Sequence, residues 1–162
     1  MAEQVQVRVE IRGVPHAQPR ARHVPGQKRP VSTVGPRVKK WRLAIGEAAD
    51  AAAVDLGDAV LEQLNQFAVR MDTLFLIPVA KGNEEWIGLA HWHKPDRDNL
   101  EKAVMDELQK ARLLFDDCRV ASGSFEKRWC APAHAGCVVV LTAMEGPPIG
   151  CKAREVKAGK TK

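Results

Sequence analysis

At 162 residues, with 45% hydrophobic and 28% charged side chains, the chain is long enough for one domain with its own core. No apolar run approaches the ~18–20 residues of a membrane helix, and the opening MAEQVQVRVE lacks the basic and apolar regions of a secretory signal. The net charge of +5 is spread unevenly enough to point to a polyanion, nucleic acid first.

Taken in chain order, Val5, Val7, Val9 and Ile11 alternate with polar residues and predict a half-buried strand. Residues 12–37 hold five prolines and three glycines and read as a long loop. From His16 to Arg42 there are eight basic residues and no acid: Arg20, Arg22, Lys28, Arg29, Arg37, Lys39, Lys40 and Arg42. So many like charges repel one another unless a polyanion joins them. Arg20, Arg22, Lys28, Arg29, Arg37, Lys39 and the later Lys94 are the candidate DNA contacts.

An alanine-rich helix is expected from about Val38 to Val54, with Trp41, Ala44, Ile45, Ala48 and Ala52 on one face. Phe67 to Pro78 predicts a strand, and IGLAHWH, residues 87–93, predicts a short one running into Lys94-Pro95. Pro95 disfavours helix for the residue before it. Asp98 with Glu101 three residues on reads as an N-cap and capping box. Leu100, Val104, Leu108 and Ala111 continue that helix as an apolar stripe ending near Ala111 or Arg112. A strand is expected from Val120 to Trp129, and the continuous apolar run of AGCVVVLTAM predicts a last, central one. The order β-loop-α-β-β-α-β-β gives an α+β domain with a mixed sheet and two main helices. That domain is read as residues 1–146. Residues 147–162 form a basic tail whose last twelve carry a net +4, and such charged ends are commonly disordered.

The four cysteines, Cys118, Cys130, Cys137 and Cys151, contain no C-x-x-C. They read as reduced thiols of a cytoplasmic protein rather than a zinc knuckle or disulfide framework. His91 and His93 form an H-x-H without a further spaced ligand pair, which is poor support for zinc. No phosphate-cradling loop or nucleophile elbow occurs.

The acidic residues of KPDRDNLEKAVMDEL and FDD carry the chemistry. Asp96 and Asp98 lie two apart at a helix start, where extended or turn backbone lets both point to one side. Two carboxylates held there repel unless a cation lies between them, and Mg²⁺ takes such oxygen ligands. Asp117 is expected to add a third carboxylate from the following strand, which the helix returns to beside its own start. Lys102, one turn beyond Asp98, faces the same way and suits a phosphate whose negative charge is growing. Singly, each residue has a plainer explanation: a helix cap, a turn, a solvated lysine. Together with the basic loop, the plain and the metal explanations stand level.

Those same segments, with FEKRW after them, resemble the RusA family of Holliday-junction resolvases, common in phages and prophages. That family's hallmark is K-P-D-x-D-N-L-x-K with an acidic pair about twenty residues on. Asp96, Asp98 and Lys102 fall on the hallmark and Asp117 on the third metal-site acid. GVPHAQPRAR, residues 13–22, is similar to the family's entry segment, so the resemblance runs from about Val5 to Met144. Arg97, Cys118 and the basic tail depart from the usual pattern without removing a ligand. The resemblance implies a RusA-like α+β fold and a homodimer. It also implies an endonuclease dependent on Mg²⁺, with Mn²⁺ as a substitute, that nicks opposed strands of four-way junctions in recombination and repair. Asp96, Asp98 and Asp117 would be its metal ligands, and these three with Lys102 its catalytic set.

Three rivals compete with this reading. A PD…(D/E)-x-K nuclease would need an acid two residues before a lysine, where Glu126 is instead followed by Lys127 and Arg128. A non-catalytic DNA-binding protein leaves the three aspartates as unexplained repulsion on a DNA-facing surface. The third is a nuclease with a different branched-DNA preference.

Overall fold

The computed structural model describes residues 5–19, 25–26 and 34–146. Five strands form one mixed sheet: β1 (Gln6–Arg12), β2 (Val69–Pro78), β3 (Val120–Ser122), β4 (Phe125–Cys130) and β5 (Gly136–Ala143). β5 lies between β1 and β2 and is antiparallel to both. The other edge of β2 takes β3 and then β4, both parallel to it. Helix α1 (Pro36–Leu64) packs on β1 and β5, and helix α2 (Arg97–Lys110) packs against α1.

Period-two patterning sets the sheet's buried face. β1 buries Val7, Val9 and Ile11, and β2 buries Val69, Met71, Thr73, Phe75 and Ile77. Trp41, Ile45 and Ala49 of α1 and Leu100, Val104 and Leu108 of α2 cover that face. β5 is internal to the sheet, as its apolar run requires.

Several local expectations are corrected. α1 starts at Pro36, the favoured first position, and runs on to Leu64 rather than stopping at Val54. Gly57 takes φ 74° and kinks it, and the segment beyond buries Leu61 and Leu64. Residues 87–93 do not form a strand. They run along β4 with bonds from Gly88 N to Trp129 O and from His91 N to Lys127 O, but only Ala90 and Arg128 make a bridge. Gly88, at φ 86°, breaks the extended geometry.

The strand expected from Val120 to Trp129 is two strands. Gly123 lies so close to β2 that a Cβ there would stand 1.8 Å from the Met71 carbonyl oxygen. The break is clamped by Asp72, whose Oδ1 accepts from Ser124 N at 2.8 Å and Ser124 Oγ at 2.6 Å. Finally, Asp96 rather than Asp98 occupies the N-cap of α2. Its extended backbone (φ −72°, ψ 146°) precedes a helix that Asp98 has already joined, and Leu100 N donates to Asp96 O. Glu101 forms no capping box: it accepts from Arg97 at 2.9 Å and from Thr73 Oγ1 at 3.3 Å.

Candidate metal and nucleic-acid site

Pro95 ends the segment that crosses β4, and the chain turns at once into α2. Asp96 and Asp98 are therefore displayed, exposed, at the helix's N-terminal end. The aligned backbone dipoles favour negative charge there. Lys102 is exposed one turn further along.

A residue the sequence reading left without a role fixes this corner from below. Lys127 of β4 donates from Nζ to His93 O and to Pro95 O, both at 2.9 Å. It ties both sides of Lys94 to the sheet. Burial holds its ammonium below the ordinary lysine range, and the nearby charge of Asp96 pulls the other way. FEKRW gave the signal, but a lysine on an edge-facing strand gives no sign of where its amine goes.

The second acidic element is anchored by the end of α1. Asn65 donates from Nδ2 to Leu61 O at 2.8 Å and Arg112 O at 3.1 Å, and its Oδ1 accepts from Phe115 N at 2.9 Å. Arg119 donates to Asn65 O and lies over the Phe115 ring at 4.4 Å. Between these anchors Asp117 opens a single 3₁₀ turn, Asp117–Arg119, and is exposed. Asp116 caps that turn by accepting from Cys118 N at 3.1 Å, which holds its carboxyl below the ordinary range. The reciprocal bond to Asp116 pushes the Cys118 thiol upward.

Asp117 faces a surface cavity of about 390 Å³ shared with Arg97, Glu101, Met71, Met105, β3 and Gly123. Asp96, Asp98 and Lys102 thus stand at one end of α2, and Asp117 stands on the flank that Arg97 and Glu101 line. Glu101, expected only as a capping partner, is a fourth carboxylate in this region. Among the described residues no three His, Cys, Asp or Glu side chains are grouped so as to hold one metal ion. The donor types suit Mg²⁺ nonetheless. It takes one or two carboxylates and completes its shell with water or phosphate oxygen, and these carboxylates are open to solvent. His91 is buried and His93 exposed, with ring centroids 6.3 Å apart.

Of the candidate DNA contacts, Arg37, Lys39 and Lys94 are exposed. Arg20, Arg22, Lys28 and Arg29 lie outside the described residues. Arg42, counted in an acid-free stretch, finds its acids across the helix pair: Glu107 Oε1 at 2.6 Å and Asp106 at 3.9 Å. Cys118, Cys130 and Cys137 are free thiols. No described helix is long and apolar enough to cross a membrane.

The model of one protein family, described as Endodeoxyribonuclease RusA, matches residues 10–138. The matched span includes the end of β1, both helices, the two acidic elements and the start of β5. No curated protein matches the chain.

Proposed function

This chain belongs to the RusA family of endodeoxyribonucleases, and we propose that it is a Mg²⁺-dependent, homodimeric resolvase of four-way DNA junctions acting in recombination and repair. Its setting is the cytoplasm of a bacterial or phage-infected cell. The observation that carries the reading is the exposed display of Asp96, Asp98 and Lys102 at one helix end, within a family match of most of the chain.

In this reading Asp96 and Asp98 at the helix end and Asp117 on its flank would supply the metal's carboxylates, one or two to each ion, with Mn²⁺ able to replace Mg²⁺. When bound, the ion would supply Lewis-acid chemistry at the phosphate. The protein's own residues do the rest. Asp96 starts the helix next to the Pro95 carbonyl that Lys127 fixes, which sets where its backbone sits. Lys102 lies one turn along to meet negative charge growing on the phosphate. Arg37, Lys39 and Lys94, with Arg20, Arg22, Lys28 and Arg29, neutralise backbone phosphates, so binding weakens steeply with salt. A two-fold dimer presents two equivalent sites to a branch of approximate two-fold symmetry.

The test is Asp98→Asn. Cleavage of a synthetic four-way junction in Mg²⁺ should be lost, while junction binding holds or tightens because a negative charge has gone. Unchanged cleavage contradicts the assignment.

A further inference from the structure

The four tryptophans have different surroundings. Trp41 is 2% exposed in the core, and Trp86 and Trp129 are half-buried against each other with ring centroids 5.5 Å apart. Trp92 is 78% exposed. Its indole nonetheless has a fixed footing. It stacks on the His93 ring at 3.7 Å between centroids and 28° between planes. His93 stands 6.4 Å from Trp129, and Trp129 packs on His91 at 4.1 Å. A ladder of rings therefore runs outward from β4 and ends in an open indole. Lys127 pins the backbone just beyond it through His93 O and Pro95 O.

The ladder's position selects its occupant. Trp92 precedes Asp96 by four residues, which span at most about 14 Å even when extended. Nucleotides along a strand are spaced by ~3.4 Å, so anything seated on Trp92 lies within about four nucleotides of a phosphate held at Asp96. Exposed Lys94 lies two residues on and suits an anionic strand. A flat aromatic face beside a cation is a platform for a base removed from its stack.

We infer that Trp92, backed by His93, is a stacking platform for an unstacked nucleobase close to the branch point. This rests on the junction-nuclease reading for its location, though not for its chemistry. The platform reads the open state of the branch, where bases are available, rather than any one sequence, since every base has a π-face.

The experiment uses the full chain without divalent metal and a four-way junction carrying 2-aminopurine in place of adenine at the crossover. A (dT)12 oligonucleotide is titrated separately while indole emission is followed. Binding of wild type should change the 2-aminopurine emission as the base moves from the DNA stack onto the indole, and (dT)12 should quench the protein's indole emission. Trp92→Ala should not reproduce that 2-aminopurine response, should lose most of the quenching, and should bind (dT)12 about ten-fold more weakly, the scale of one stacked base. Trp92→Phe should restore part of the affinity. An unchanged 2-aminopurine response and equal (dT)12 affinity in Trp92→Ala would overturn the inference. So would a shift of that variant toward a smaller oligomer on dilution, which would make Ile87, Leu89 and Trp92 a contact between copies. Quenching that depends on Trp92, in a wild-type protein that cleaves no junction, would keep the platform and remove the nuclease reading.

Discussion

Two groups of carboxylates in this molecule have opposite surroundings. In the sheet and between the helices, Asp72 and Glu107 have their oxygens taken up by the protein. Asp72 receives Arg70 at 2.7 Å and Ser124 at 2.6 Å, and its carboxyl is drawn down to about 2, chiefly by Arg70. Glu107 is 7% exposed and receives Arg42 at 2.6 Å and Lys110 at 2.9 Å. At the N-terminal end of α2 and in the turn after it, Asp96, Asp98 and Asp117 stand exposed. The first kind stabilises the fold. The second kind lies at the surface, where the proposed function puts a cation and the phosphate it binds.

Substitutions should separate the two regions cleanly. The largest effect is expected at the exposed acids. Asp96→Asn or Asp117→Asn should slow Mg²⁺-dependent junction cleavage by about two orders of magnitude or more, since even outer-shell changes at metal sites cost ~10–100-fold. Thermal unfolding should move by no more than about 0.5 kcal/mol, as for ordinary surface changes. Large destabilisation by either variant would place that acid in the first region.

Lys102→Ala sharpens the same side: cleavage should fall far more than junction affinity, measured by titration without metal. Equal losses would reduce Lys102 to a phosphate contact. On the other side, Arg42→Ala should destabilise by about 3 kcal/mol in urea unfolding, the lower end for breaking a buried pair, because Lys110 remains on Glu107. Asp72→Ala should cost ~1.5–3 kcal/mol, the range for a charged hydrogen bond.

The smallest effect is one of pH. Asp72 lies at about 2 in the fold against an ordinary 3.8, so its contribution is present above the ordinary value and lost as pH falls toward 2. The stability gap between wild type and Asp72→Asn should close across that window.

Much of this was legible in the sequence, because period two and period 3.6 are written in side-chain type. β1, β2, β5 and the apolar stripe of α2 followed from that alone. KPDRDNLEK marked the candidate site through residue chemistry, spacing and a family resemblance. What stayed hidden depends on where backbone or long side chains end up. The β3–β4 break follows from Gly123 touching Met71. The shift of the N-cap from Asp98 to Asp96 follows from backbone angles after Pro95. Arg42 looked like part of an uncompensated basic arm because its acid lies 65 residues away in sequence. Asn65 and Lys127 act through carbonyls of distant segments, which no local pattern records.

In the proposed function the exposed acids serve metal-dependent cutting of branched DNA. The most direct measurement incubates the wild-type protein with a synthetic four-way junction and with a linear duplex of the same sequence, each with and without Mg²⁺. Paired nicks in opposed strands of the junction, only with Mg²⁺ and with the duplex left intact, are the expected result. Equal cutting of junction and duplex, or junction cleavage undiminished in excess EDTA, would contradict it.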